Sequence, residues 1–195
     1  VAHNGSLIPI PGRDVMAQAW YQAGISVFDW TDASHPKEIA YFDRGPVDST
    51  KLTLAGSWSV YWYNGLLVSS EIVRGLDVFE LTPSAFISQN EIDAAKTVHF
   101  DYLNAQGQPK LVWPPSFALA RAYLDQIERV KAMGGTRIGA TRSELARAER
   151  APAAEQKKRL TWLASQLNGY SMGSTDGAKI KMLAGAVRDL SAMSH

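Results

Sequence analysis

The chain holds 195 residues, 46% hydrophobic and 20% charged, which is the balance of a folded globular protein and excludes a disordered one. It has no cysteine, so disulfides, thiolate chemistry and Cys-based metal sites are excluded, and no apolar run approaches the roughly 20 residues of a membrane-spanning helix. The formal net charge of +1 argues against a nucleic-acid partner but hides an asymmetry: residues 1–115 carry 7 Lys+Arg against 12 Asp+Glu, and residues 116–195 carry 13 against 7.

Two readings of that asymmetry stay open, docking of the basic part on the acidic one and long-range attraction of an external anionic surface. The chain opens on Val1 without a starting Met and runs at once into strand-like sequence, so we expect a leader and an upstream domain to have been removed. From Ser6 to Asp43 come four short extended runs, SLIPI, DVMAQAW, ISVFDW and KEIAYFD. Pro11-Gly12, Ala23-Gly24 and Asp32 to Pro36 punctuate them with backbone angles that strands do not use. Four antiparallel strands in about forty residues is the size of one propeller blade. A degenerate second copy follows. Tyr63 to Val68 echoes Asn4 to Ile8, and Arg74 to Leu81 echoes Ala23 to Trp30, with Gly24 and Gly75 standing 51 positions apart. Ile25 and Val27, like Leu76 and Val78, alternate with other residues at the two-residue period of a strand with one buried face.

The run Gly24-Ile-Ser-Val-Phe-Asp-Trp-Thr-Asp32, continuing through His35-Pro36, resembles the repeat of the LVIVD family, and Gly75 to Pro83 is a second, shorter match. Ala33 replaces the usual Pro of that signature, and Glu80 replaces the Asp of the second copy. The resemblance covers roughly residues 1–83. It implies a bacterial or archaeal β-propeller in an extracytoplasmic setting, whether secreted, periplasmic or on the cell surface. Two blades cannot close a ring that usually needs roughly four to eight. The expected partners are therefore the remaining blades of the same protein or strands of another chain.

Ser84 to Thr97 reads as a helix, and Val98 to Pro115 as a connector ending in a stiff Trp113-Pro114-Pro115 hinge. Four more helices follow, Ser116 to Met133, Thr136 or Ala140 to Arg150, Pro152 to Leu167 and Ser174 to Met193. Leu160, Leu163 and Leu167, then Ile180, Leu183, Val187 and Leu190, recur at helical spacing and predict a small antiparallel bundle. The expected fold is thus mainly β: propeller blades of four antiparallel strands forming an incomplete ring, then an α-helical bundle. Its expected divisions are two C-terminal blades over 1–83, a helix and connector over 84–115, and the bundle over 116–195.

Catalytic signals are sparse. His3, His35, His99 and His195 have no metal-ligand spacing, and we expect His35 and His195 to be solvated. No nucleophile elbow, phosphate-binding loop or dinucleotide fingerprint occurs, so neither metal nor cofactor is expected. The candidate ligand-binding residues are His3, Asn4, Trp20, Trp58, Trp62, Glu71 and Arg74. His3-Asn4 matches the His-Asp/Asn start of blades in the resembled family, which implies a place near a central channel; bonding between neighbouring strands is the alternative. Trp20, Trp58 and Trp62 belong to the densest aromatic cluster, and exposed aromatic faces hold sugars and cationic groups. Strand alternation turns at least half of that cluster into packing. Glu71 and Arg74 offer polar partners, or else a local ion pair worth well under about 1 kcal/mol. Asp29 and Asp32 read as caps of the turn after the third strand. The expected function is a non-catalytic extracytoplasmic interaction module that presents loops to a protein or polysaccharide. The alternatives are part of an enzyme with its site in a propeller channel, and a carbohydrate-binding surface protein.

Overall fold

The structure is a computed structural model that describes residues 1–107 and 109–194, without the side chain of Gln106. By contacts the chain divides into two compact units, Val1–Val112 and Trp113–His195. Among the described residues no helix is long and apolar enough to cross a membrane.

In the first unit β1 (Ala2–Ile8), β2 (Val15–Trp20), β3 (Ile25–Asp29) and β4 (Lys37–Phe42) form a four-stranded antiparallel sheet in sequence order. Alternation fixes its faces: Val15, Ala17 and Ala19 are fully buried while Met16, Gln18 and Trp20 between them are half-buried. A second antiparallel sheet holds β5 (Ser57–Tyr63), β6 (Leu66–Glu71) and β7 (Gly75–Phe79). Asn64-Gly65 joins β5 to β6 with positive φ at both positions, 48° and 93°, the two-residue turn whose twist suits a hairpin.

The sheets meet where β1 and β2 pack on β5. There Trp62 N–H donates to Ser6 Oγ at 3.1 Å, and between β4 and β7 the Phe42 and Phe79 rings lie 4.5 Å apart. At the end where β2 finishes and β5 begins, backbone bonds stitch them further. Gln22 N–H donates to Ala55 O at 2.6 Å, and Ser57 N–H to Ala23 O at 3.3 Å. Gly56, at φ +90°, makes this approach possible: a Cβ there would sit 2.5 Å from Gln22 N and 2.6 Å from Ala23 O.

The opposite end is closed by α1 (Gln89–Lys96). Ser88 Oγ accepts from Glu91 N–H at 3.2 Å and the Glu91 carboxylate accepts from Ser88 N–H at 2.7 Å, a reciprocal cap. The other oxygen of Glu91, Oε1, takes Arg13 Nη1 at 2.8 Å, and Arg13 Nη2 reaches Asp29 at 2.7 Å. Ile87, Ile92, Ala94 and Ala95 are buried beneath the helix.

The propeller expectation is corrected here. The described residues form two small antiparallel sheets, of four and three strands, and with five α-helices they make no closed or propeller-like sheet. Among the described residues the second sheet has no fourth strand: residues 44–55 are irregular, and after Phe79 the chain runs on into α1 instead of pairing again.

In the second unit α2 (Phe117–Arg129), α3 (Gly135–Arg150), α4 (Ala153–Ser171) and α5 (Gly177–Met193) pack each on the next, and α5 returns to α2. Leu124, Leu145, Leu160, Leu167, Ile180 and Leu183 are fully buried in one core. Ion pairs tie the helices at their rims: Arg142 on α3 reaches Asp125 at 2.8 Å and Glu128 at 2.6 Å on α2, and Arg159 on α4 reaches Glu144 on α3 at 2.8 Å.

Candidate functional site

Two β-bulges lie side by side at one end of the first unit. In β1 the register passes from Ala2↔Trp20 to Gly5↔Gln18, so one extra residue is inserted around His3-Asn4. In β5 it passes from Ser57↔Glu71 to Ser59↔Ser70, which makes Trp58 the extra residue. Bulges turn side chains out of the pleat and leave carbonyls without ladder partners. Both consequences are visible. His3 Nδ1 lies 2.5 Å from Trp58 O and 3.2 Å from Asn4 Oδ1, and as both partners only accept, Nδ1 carries the proton. Gln18 Nε2 donates to His3 O at 3.0 Å and Asn4 O at 3.3 Å.

The bulged side chains gather into one aromatic surface. The His3 ring stacks on Tyr21 at 4.7 Å and 19°, and lies 4.9 Å from Trp58; Tyr21 and Trp58 are 5.6 Å apart. Trp58 stays 46% exposed. Asn4 Nδ2 donates to the Tyr61 hydroxyl at 2.8 Å, which fixes the polar rim. Next to Tyr21, Gln22 and Gly56 open onto a cleft of about 340 Å³ whose other wall is the loop from Gly45 to Thr53. Asp48 shapes that loop by accepting from Thr50 N–H and its hydroxyl, both at 2.8 Å.

The structure therefore brings His3, Asn4 and Trp58 together and sets the other candidates apart. Glu71 is buried, and its carboxylate accepts from Gly56 N–H at 2.8 Å, Val73 N–H at 2.9 Å and Arg74 N–H. Burial works against its ionisation, yet the bonds from Gly56, Arg74 and Val73 outweigh it and hold the carboxyl below its usual range. Arg74 points to the carbonyls of Gly45 and Pro46 at 3.4 Å and steadies the cleft loop. Trp20 lies on the outer face of the first sheet against Phe28, and its buried indole N–H has no hydrogen-bond partner among the described residues. Trp62 is 3% exposed and packs edge-on against Phe100.

Asp29 accepts from Thr31 N–H at 3.0 Å and from its hydroxyl, as a turn cap, and Asp32 accepts from Ser34 N–H at 3.0 Å. His35 is exposed beside Asp32; His195 lies outside the described residues. Among the described residues no three His, Asp or Glu side chains come together to hold a metal ion.

Tyr21 and Tyr61 adjoin Trp20 and Trp62 in the sequence, whereas nothing there points to Gln18, because its role exists only once the bulges have freed two carbonyls. No family model, curated protein or solved structure matches this chain. The resemblance to the LVIVD repeat rests on the quoted signatures alone.

Proposed function

We propose that the first unit is a non-catalytic, extracytoplasmic glycan-binding module whose contact surface is His3, Tyr21 and Trp58. The observation that carries this reading is Trp58, lifted on a bulge and left 46% exposed beside two other rings. Tryptophan is highly buried on average, so a ring held outward by backbone geometry has a contact to make. The C–H face of a sugar ring stacks on such a surface while its hydroxyls meet Asn4, Tyr61 and the cleft loop. A non-catalytic role is supported by the state of the nearby carboxylates. Glu71 is committed to buried bonds from backbone N–H groups and Asp48 to the N–H and hydroxyl of Thr50, whereas glycoside hydrolysis uses two carboxyl groups facing the substrate.

The test is a titration of the chain against a panel of soluble polysaccharides, followed by calorimetry. Trp58→Ala should weaken the binding of the retained polysaccharide by at least about tenfold while the strand signals in circular dichroism stay unchanged. Absence of binding across the panel, or a Trp58→Ala chain that binds as the native one does, sinks the reading and turns attention to a protein partner.

A further inference from the structure

The second unit carries an aromatic groove flanked by exposed arginine. It lies between α3 and α4 and has a volume of about 320 Å³. The helices run antiparallel there, since Arg159 of α4 meets Glu144 of α3 while Tyr170, further along α4, meets Arg137 at the start of α3. The exposed wall is Trp162, 56% exposed, with no hydrogen bond to its indole among the described residues. Tyr170 continues the surface, with the Arg137 guanidinium 4.5 Å above its ring. Gln166 lines the groove near them. At the other end stands Arg147, its side chain 68% exposed and only loosely held by Glu144 at 3.6 Å.

The charge pattern identifies the ligand class. Glu144 is the acidic group of the groove, but its side chain is 11% exposed and its carboxylate is engaged by Arg159 as well as Arg147. That leaves Arg137 and Arg147 facing solvent, ten positions apart on one helix, or about 15 Å along its axis. The unit around them carries 13 Lys+Arg against 7 Asp+Glu. Aromatic faces flanked by an amide and spaced guanidinium groups suit an extended chain of rings bearing carboxylates. We propose that the α3–α4 groove binds an acidic glycan, its sugar face on Trp162 and its carboxylates on Arg147 and Arg137.

This site stands independently of the aromatic surface on the first unit, and the experiment keeps them apart by using the full chain carrying Trp58→Ala. A galacturonate oligomer is titrated while the tryptophan indole N–H resonances are followed; that of Trp162 is the one lost in Trp162→Phe. The Trp162 resonance should shift with the galacturonate oligomer and not with a neutral galactose oligomer. Trp162→Ala and Arg147→Gln should each weaken binding by at least about tenfold, and added sodium chloride should weaken it further. Both side chains are exposed, and unchanged helical circular dichroism confirms that the variants fold. A Trp162 resonance that stays still, an equal shift with the neutral oligomer, or full affinity in both variants overturns the proposal.

Discussion

Glu71 ends β6 with a buried carboxylate that gathers three backbone N–H groups, so one side chain ties the β6–β7 turn to the residue that opens β5. For Asp29 too, burial opposes ionisation and is outweighed, first by the two bonds from Thr31 and then by Arg13, which leaves its carboxyl below its ordinary range. A carboxyl group depressed in the folded state contributes stability that is present above its unfolded value, and that contribution is lost as pH falls through the folded one. The first unit should therefore hold its stability above about pH 5 and lose it progressively below roughly pH 4. Glu71→Gln should lower stability at neutral pH by about 1–3 kcal/mol, because an amide cannot accept the same set of bonds, and should reduce the loss in acid. Urea unfolding followed by strand amide resonances at a series of pH values checks both; an acid loss unchanged by the substitution would show that the fold does not depress the Glu71 carboxyl. In the sequence Glu71 was legible only as a polar loop residue, since its inward turn depends on Gly56, fifteen positions earlier. Gly24 and Gly75 looked equivalent by their place in the repeat, yet they answer different demands. A Cβ on Gly24 would sit 1.8 Å from Phe42 O, whereas Gly75 has open space and a φ of +96°.

At the scale of elements, the strands were legible because turn residues and two-residue alternation agree along residues 6–43 and 58–81. The helices of the second unit were legible through their apolar repeats, with Leu160, Leu163 and Leu167 buried on one stripe. The least legible element was α1. It begins at Gln89, five residues later than the pattern suggested, because Ser88 caps it. What docks it is a turn residue, Arg13, seventy-eight positions from Glu91, and no periodicity announces such a pair. Burial works against the charge of Arg13, but Glu91 first and Asp29 with it raise its pKa above the ordinary value. The side chains of Arg13 and Glu91 are 7% and 0% exposed. Arg13→Ala should therefore cost about 3–5 kcal/mol, since it strands a buried carboxylate. Lys96→Ala, which removes an exposed pair with Glu80 at 3.4 Å, should cost under about 1 kcal/mol. Chemical denaturation of the two variants decides it, and similar losses would show that the buried pair does not hold the helix.

At the scale of the whole molecule, propeller closure is a property of how sheets repeat around an axis, and local strand signals carry little of that information. A four-stranded meander and a three-stranded one satisfy the same turn chemistry without forming a ring. The sequence led us to expect SLIPI to need pairing from outside the chain; in the structure β1 is an edge strand of its sheet, and its side chains reach β5, where Trp62 N–H bonds to Ser6 and Asn4 bonds to Tyr61. The outer edge of β7 is also open. Among the described residues it has no second partner strand, and Leu76 and Val78 stand 69% and 54% exposed beside Val73 at 54%. A strand with one free row of N–H and C=O groups and exposed apolar side chains recruits another strand, and no proline or lysine within Gly75–Phe79 discourages it. The purified chain should accordingly associate reversibly as its concentration rises. Val78→Lys should suppress this without lowering the melting temperature, because the lysine stands in solvent and blunts the edge. Sedimentation velocity over a wide concentration range provides the measurement. A native chain that remains monomeric throughout, or a Val78→Lys chain that associates as strongly, would show that this edge is closed to other strands.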